Sequence, residues 1–228
     1  MVWLFLQRIF TSKPTPDSNQ TKRNKQMKLY YMPMACSLAV HIALRKAGVT
    51  PDLVKYDPAT GKAEDGITLK EVYPKGYVPV LIDDSGDILT EVISIMLDLD
   101  VRYPEASLFP ADGRMRRQAI EWLSYTSSEL HKRFIVPLFF EETPTAETTA
   151  QRERIAARFD YVADALVGKE AFLFGDTLTA ADLYLLVVML WTGPAKIDLS
   201  RWPELEAYRD RMLGDPAVAS AMKAEGLM

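Results

Sequence analysis

The sequence predicts an α/β plus all-α fold, in which a small mixed-sheet domain is followed by a bundle of helices. Short β-prone runs alternate with helical patterns over residues 27–106, whereas strand signals disappear over residues 107–228. A breaker-rich stretch at 103–113 separates the two regions. Apolar residues make up 48% and charged residues 25% of the 228 residues, a globular balance that excludes a disordered or collagen-like chain. We therefore expect two domains, 27–106 and 107–228.

The first domain is predicted to form a small mixed sheet with helices on its faces. Pro33 stops the first strand, Gly48 closes the first helix, and Asp84-Ser85-Gly86 is typical of a hairpin turn. The predicted elements are a strand at 28–31, a helix at 37–47, a strand at 53–56, a short helix at 69–72, hairpin strands at 78–82 and 88–89, and a helix at 91–101.

The second domain is predicted to contain five helical stretches separated by Gly and Pro, at 114–132, 146–167, 179–192, 203–213 and 216–224. Thr179 to Asp182 fits a capping box, with Leu178 and Leu183 in the positions of a hydrophobic staple. The residues 183–190 are apolar on every face, which predicts the buried centre of the bundle.

The first 26 residues differ from the rest, because they carry five basic residues and one acidic residue. Their short apolar start lacks a preceding positive charge and a small-residue cleavage site, which argues against a secretory signal. We expect a disordered or non-native extension before Met27, with an organelle transit peptide as the other interpretation. No apolar run approaches the roughly 20 residues of a membrane-spanning helix, so no membrane partner is predicted.

The net charge and the cysteine and histidine counts exclude several classes of partner and site. A net charge of −4 and a pI near 5.3 argue against a nucleic-acid partner. The single cysteine, Cys36, excludes an intrachain disulfide or a cysteine-based zinc site and suits the reducing cytoplasm. With only His41 and His131, a histidine-rich metal centre is not expected, and no glycine-rich phosphate motif is present.

Three positions of the first domain are candidates for chemistry. Cys36 lies at a strand-to-helix turn, where exposed N–H groups favour a thiolate, although a lone cysteine is equally typical of a small buried apolar side chain. The Val78-Pro79 bond is either cis, leaving the Val78 backbone for an extended ligand, or an ordinary strand-edge proline. Glu91 opens a helix, which favours a capping role over contact with a ligand ammonium group.

Two features of the second domain favour structural roles when taken alone. His131 lies near the end of a predicted helix, where it complements the helix dipole. The aromatic side chains of Phe134, Phe139 and Phe140 are most often core.

From Met27 to Met228 the chain resembles the glutathione S-transferases, specifically the bacterial beta class. Six segments carry this resemblance. The first three are Lys28 to Tyr31 with Ala35 to Arg45, Pro74 to Pro79, and Leu89 to Glu91 with Ile95-Met96. They are followed by Ile120 to Leu123 with Glu129 to Lys132, the Thr179–Asp182 box, and Ala224 to Leu227. They occur in the order and spacing of that class.

The resemblance implies a thioredoxin-like domain, a helical domain and a homodimer with glutathione bound between the domains. It also implies an enzyme that conjugates the glutathione thiolate to small hydrophobic electrophiles, a cytoplasmic detoxification activity that needs no cofactor besides glutathione as co-substrate. The catalytic residues carried over by position are Cys36, Ser37 and His131. The residues carried over as substrate contacts are Cys36, Lys62, Val78, Pro79, Glu91, Val92, Ser124, Ser128, Glu129, Leu130 and His131.

The resemblance also implies a role for each of the main contacts. Cys36 lies beside the glutathione sulfur, where a mixed disulfide can form, and Ser37 donates a hydrogen bond to that sulfur. Val78 pairs with the cysteinyl part of glutathione, and Glu91 with residue 92 holds the γ-glutamyl end. Residues 128–131 line the site from the helical domain. The Phe cluster accepts the apolar electrophile.

Several positions depart from the class pattern, mostly at the glutathione subsite. Met34 stands where glycine is usual, and Val92 stands where a small Ser or Gly is usual. The remaining departures are Ser124 for Asn, Gly61 for a Lys that Lys62 can replace, and Val72-Tyr73 for Ile/Val-Asn.

Two other functions remain open from the sequence. One is a glutathione-dependent thiol reductase or peroxidase, which works through a mixed disulfide of Cys36 and uses external glutathione to resolve it. The other is a non-catalytic transferase-like protein that binds a partner or a hydrophobic ligand, which the departures at the glutathione subsite favour.

Overall fold

The structure, a computed structural model, describes residues 26–134, 146–169 and 171–228. The extension predicted at the N-terminus lies outside the described residues, apart from Gln26, and so do Phe139 and Phe140. Among the described helices, none has both the length and the apolar character that crossing a bilayer requires.

The first domain is a mixed five-stranded sheet in the strand order β3-β2-β1-β4-β5. Strand β1 pairs in parallel with β2 and antiparallel with β4, and β4 continues antiparallel into β5. The mixed sheet is the one predicted, with β3 added because a two-residue strand has no pattern to read. The elements are β1 Lys28–Tyr31, α1 Ser37–Lys46, β2 Asp52–Asp57, β3 Lys62–Ala63, α2 Leu69–Val72, β4 Val80–Ile82, β5 Ile88–Thr90 and α3 Val92–Arg102.

Both faces of the sheet are buried. Successive side chains of a strand point to opposite faces, so each strand contributes to two apolar clusters. Leu29 and Tyr31 of β1 belong to the main core, which includes residues of α1 and α3. Tyr30 belongs to a second cluster on the other side, together with Val54 and Leu69. The start of α1 is therefore anchored on a layer that is buried from both sides.

In the part that the structure describes, the second domain is built from helices, and an isolated β-bridge joins Phe172 and Gly175 in the connection before Thr179. Its elements are α4 Gly113–Tyr125, a π-helical turn at Thr126–His131, α5 Ala146–Leu166, α6 Ala180–Leu190, α7 Pro203–Leu213 and α8 Pro216–Ala224, with 3₁₀ turns at Pro104–Ala106 and Leu199–Arg201. The sequence predicted one continuous helix over 114–132. The structure instead ends the α-helix at Tyr125 and widens the next turn, a change frequently found at functional sites.

Helix α6 is the buried centre of the molecule, as its all-apolar pattern predicted. Its residues from Ala180 to Met189 are buried, and the helix packs against both α1 and α4. The predicted capping box is present at its start: the Thr179 backbone N–H donates to the Asp182 carboxylate at 2.7 Å. Helix α6 thus joins the two domains and fixes the position of its side chains against the first domain.

Candidate functional site

A cleft of about 910 Å³ lies where the two domains meet. Its walls in the first domain come from the β1–α1 loop, the end of β2, the entry to β4 and the start of α3. In the second domain they come from the π-helical turn with the residue that follows it, and from α6 with the residue that follows it. The lining residues are Met32, Pro33, Met34, Ala35, Cys36, Tyr56, Pro58, Tyr77, Val78, Pro79, Glu91, Val92, Ile93, Ser94, Ser127, His131, Lys132, Tyr184 and Trp191.

Cys36 is the residue before α1, and its thiol lies 3.7 Å from the Val78 carbonyl oxygen. Burial among the surrounding protein atoms raises the pKa of this thiol from 9.0 to about 12. The backbone N–H groups of Cys36 and Ser37 and the charge of Lys132 act in the opposite direction but are outweighed. Of the two interpretations left open by the sequence, the thiolate is therefore wrong for the unliganded protein: Cys36 is a neutral thiol at pH 7.

The Val78–Pro79 peptide bond is cis, the first of the two alternatives that the sequence left open. Both residues line the cleft immediately before β4. The Val78 carbonyl is the group that accepts the hydrogen bond from Cys36, so the thiol and this backbone segment face each other across one end of the cleft.

Glu91 lies at the entry to α3 with φ at 67°, in a region that a non-glycine residue seldom adopts. Its carboxylate accepts hydrogen bonds from the Tyr77 hydroxyl at 3.0 Å and from Lys75 Nζ at 3.3 Å. The capping role favoured for Glu91 is wrong, because its side chain makes no capping hydrogen bond to α3. A carboxylate on the cleft wall is left half exposed, with Val92 buried beside it.

His131 lies in the π-helical turn and is buried, with its Nδ1 atom 2.5 Å from the Tyr184 hydroxyl. The Ser127 hydroxyl in turn hydrogen-bonds the Tyr184 oxygen. Donation from Ser127 to Tyr184 and from Tyr184 to Nδ1 satisfies all three groups, and it makes Nε2–H a donor. Burial, with a smaller contribution from the charge of Lys132, lowers the pKa of His131 from 6.5 to about 4, so the ring is neutral at pH 7.

The lowered pKa of His131 predicts a loss of folding stability in acid. Above about pH 6.5 the His131 ring is neutral in the folded and the unfolded chain. Between about pH 6.5 and about pH 4, the ring is protonated in the unfolded chain and stays neutral in the folded chain. We expect this group to remove about 2 kcal/mol of unfolding free energy between about pH 7.5 and about pH 5. Urea unfolding at both pH values measures it, and His131→Gln, which keeps a hydrogen-bonding side chain, should lose less stability over the same interval. An equal loss in both proteins would contradict the assignment.

Two predicted residues of the first domain do not line the cleft. The Ser37 hydroxyl is buried against the backbone of Met32, donating to its carbonyl and accepting from its N–H, both at 3.2 Å. It fixes the β1–α1 loop and is not directed to a ligand sulfur. Lys62 is exposed in β3 and is likewise absent from the cleft wall.

Four predicted contacts of the second domain also lie off the cleft wall: Ser124, Ser128, Glu129 and Leu130. Both serine hydroxyls donate to carbonyl oxygens four residues earlier in the chain. The Glu129 carboxylate pairs with Arg133 and Arg158 at 2.8 and 2.9 Å, and Leu130 is fully buried. The helical wall at this point is formed instead by Ser127 and His131.

From the second domain, the structure adds four lining residues that the sequence analysis missed: Ser127, Lys132, Tyr184 and Trp191. Lys132 directly follows His131, and Tyr184 is a hydroxyl-bearing residue within an otherwise apolar helix, so both had a weak signal in the sequence. The side chains of Ser127 and Trp191 gave none, because their directions depend on the π-helical turn and on the end of α6.

The β1–α1 loop is held from the second domain. Met34 has φ at 62°, its N–H donates to Glu225 Oε2 at 3.3 Å, and its carbonyl accepts from Trp191 Nε1 at 2.6 Å. The Glu225 carboxylate is buried and also contacts His41 Nδ1 at 3.0 Å. His41 therefore helps to hold the chain beyond α8 against the loop that leads to Cys36.

The Phe cluster expected to accept an apolar ligand is in part core. Phe134 is fully buried and contacts Phe159 and Trp191 without lining the cleft. The apolar wall is formed instead by Met32, Met34 and Trp191. Among the described residues, no group of three or more His, Cys, Asp or Glu side chains is arranged to hold a metal ion.

The fold and the cleft define a class of two-domain protein in which a cleft, part charged and part apolar, lies between the domains beside a thiol at the start of α1. Family models agree with this class: "Glutathione S-transferase, N-terminal domain" matches residues 33–102, and "Glutathione S-transferase, C-terminal domain" matches residues 117–216.

Individual proteins give the same result. The chain is 40% identical over 202 residues to the glutathione S-transferase GstA of Escherichia coli O157:H7, which covers 88% of this chain and 100% of that protein. It is 41% identical, with a TM-score of 0.81, to the bacterial beta-class glutathione S-transferase of Sphingomonas chungbukensis, and 39% identical, with a TM-score of 0.81, to a sphingomonad glutathione S-transferase complexed with glutathione. Both matches cover 88% of this chain and 100% of the other. The chain belongs to the glutathione S-transferase family, in its bacterial beta class.

Proposed function

We propose that this glutathione S-transferase binds glutathione in the cleft and joins its thiolate to small apolar electrophiles, as in detoxification. The observation that carries the proposal is the convergence of Cys36, the Val78 backbone and His131 on one cleft that also carries an apolar wall. Glutathione supplies a thiol, an ammonium group, two carboxylates and two peptide bonds. The cleft lining offers a donor for the thiol, a carboxylate, one ammonium group and a backbone segment that suit several of these groups.

Both domains supply groups that suit the peptide. The backbone of Val78 suits the cysteinyl part, because an extended peptide pairs with exposed backbone N–H and C=O groups. The carboxylate of Glu91 suits the γ-glutamyl ammonium. Lys132 supplies a positive charge on the opposite wall for a carboxylate or the thiolate. The N-terminus of α1 favours negative charge at the same point.

Cys36 acts in this proposal as a hydrogen-bond donor. Because its pKa is raised to about 12, the thiol keeps its proton at pH 7. When glutathione binds, the single S–H turns from the Val78 carbonyl, which then pairs with the peptide, and donates to the glutathione sulfur. A donor to the ionised form lowers the pKa of the glutathione thiol from its ordinary value of about 8.5.

His131 acts as a second neutral donor. With Nδ1 occupied by Tyr184, its Nε2–H is the ring atom left for a thiolate. The thiol proton passes to solvent when glutathione ionises. The thiolate then forms a bond to the electrophilic carbon as the carbon–halogen bond breaks and halide leaves.

Conjugation of a chlorinated nitrobenzene tests the function. The native protein should form the thioether, and Cys36→Ala should lose several-fold in kcat/KM because one donor to the thiolate is removed. Ser124→Ala, exposed and off the cleft wall, is the control. Absence of conjugation, together with absence of heat when glutathione is titrated into the native protein, would leave only the non-catalytic binding function.

A thiol reductase is the second enzymatic candidate, favoured by the position of Cys36 in the cleft. Its first step needs the Cys36 thiolate, and burial raises the pKa of this thiol to about 12, so the thiolate is the minor form near neutral pH. Disulfide exchange with a glutathione mixed disulfide distinguishes the two functions, because Cys36→Ala abolishes exchange completely and slows conjugation only in part.

We also propose that the protein is a cytoplasmic homodimer. The compartment rests on the single cysteine. The dimer is supported by apolar side chains exposed on neighbouring helices, Val101 of α3 at 77% and Met115 of α4 at 41%.

The dimer is tested by sedimentation. The native protein should have twice the 25.7 kDa chain mass, and Val101→Glu should shift it towards the chain mass at low concentration. Val167→Glu is the matched control, because Val167 is also exposed, at 69%, but lies beyond α5. A native protein that sediments as a single chain would contradict the proposal.

A further inference from the structure

Met34 has a backbone conformation that its residue type disfavours. Its φ of 62° lies in the left-handed region, where a Cβ atom meets the following carbonyl oxygen. The residue lies two positions before Cys36 and lines the cleft. An unfavourable conformation at such a position suggests that either the backbone geometry or the side chain serves the site.

The backbone geometry does not require the methionine side chain. Both hydrogen bonds that hold the residue are made by its main chain, the N–H to Glu225 and the carbonyl from Trp191. A glycine would make both of them without the cost of the left-handed φ. The presence of a long side chain is therefore unexplained by the loop alone.

The side chain lies on the apolar part of the cleft. Met34 is partly buried and packs against the main core, and it shares the cleft wall with Trp191 and Met32. Its backbone contacts run to Glu225 and Trp191 of the second domain, not to the Val78 and Glu91 groups that suit glutathione. A thioether side chain is flexible and polarizable and contacts aromatic rings favourably.

We propose that Met34 determines the specificity for the second substrate: its side chain forms a wall of the electrophile subsite that admits small flat aromatic electrophiles and restricts bulkier ones. The inference rests on the proposed function and names the substrate class of the same site. Removing the side chain enlarges the subsite next to Trp191 and leaves the glutathione groups in place.

Selectivity between two electrophiles tests the proposal. The rates of conjugation of a chlorinated dinitrobenzene and of a (chloromethyl)naphthalene are compared in the native protein, Met34→Ala, Met34→Gly and Met34→Leu. We expect the ratio of kcat/KM, bulky over small, to rise on the order of tenfold in Met34→Ala and Met34→Gly. Met34→Leu, which keeps the side-chain volume, should retain the native ratio, and glutathione affinity from calorimetry should remain within about twofold in every variant.

A matched control separates the side chain from the strained backbone. Ser107 also has a left-handed φ, 50°, and is exposed outside the cleft, so Ser107→Gly relieves the same kind of strain without touching the subsite. It should leave the selectivity ratio unchanged. An unchanged ratio in Met34→Ala and Met34→Gly would overturn the specificity role while conjugation by the native protein still stood. A native protein that conjugates neither electrophile would overturn the proposed function and the inference with it.

Discussion

Asp182→Asn is expected to be the most destabilising single substitution proposed for this protein. The Asp182 carboxylate is fully buried and accepts from four donors: the backbone N–H groups of Leu173 and Thr179, at 2.9 and 2.7 Å, and the hydroxyls of Thr179 and Tyr208. An amide has one oxygen and two N–H donors, so it cannot accept at both ends and places a donor against donors. Breaking such a buried polar cluster costs about 3 to 5 kcal/mol of unfolding free energy.

The measurement is urea unfolding, with Asp112→Asn as the matched control. Asp112 also precedes a helix and accepts from two backbone N–H groups, both at 2.9 Å, but it is exposed. Because Asn is as good an N-terminal cap as Asp, the control should change stability by less than about 0.5 kcal/mol. Equal stability of the two variants would show that the buried cluster at the start of α6 does not hold the fold.

His131→Ala is expected to have the largest effect on catalysis. Removal of a neutral donor to the glutathione thiolate should lower kcat/KM for conjugation on the order of 10- to 100-fold, because a hydrogen bond to a charged group contributes about 1.5 to 3 kcal/mol. His131→Gln, which retains an N–H donor, should recover part of the rate.

Tyr184→Phe tests whether the ring is oriented through Nδ1. This variant keeps the aromatic packing and removes the hydroxyl that contacts His131 at 2.5 Å. We expect a smaller loss of kcat/KM than for His131→Ala. The pH profile should also show a higher pKa of the bound glutathione thiol than in the native protein, which is the result expected if Tyr184 acts by positioning His131. Native rates in both variants would exclude His131 from the reaction.

The fold was predictable because its signals are local. The alternation of strand and helix patterns, the Gly and Pro boundaries and the Thr179–Asp182 box are each read within a few residues. The all-apolar stretch after the box required a central position. The two-residue β3 escaped prediction because it has no periodicity of its own.

The site was only partly predictable, because its side-chain directions depend on the folded environment. The family pattern predicts six residues on one cleft, and the structure brings all six together: Cys36, Val78, Pro79, Glu91, Val92 and His131. The family pattern misassigned Ser37 to the ligand, since nothing in the sequence indicates that the hydroxyl turns back to Met32.

The protonation states also lay beyond the sequence. Position at the start of a helix predicts a lowered pKa for Cys36, but burial, which only packing determines, has the larger effect. In the same way, a histidine near a helix end predicts a cation, whereas burial against Tyr184 keeps His131 neutral.

The central claim is that this cleft ionises the thiol of bound glutathione by means of neutral donors. Titration of the ultraviolet thiolate absorbance of the glutathione complex, against free glutathione and the complexes of Cys36→Ala and His131→Ala, tests it most directly. The native complex should show a glutathione thiol pKa about one to two units below that of free glutathione, with part of this shift lost in each variant. A thiol that titrates in the native complex as it does in free solution would contradict the claim.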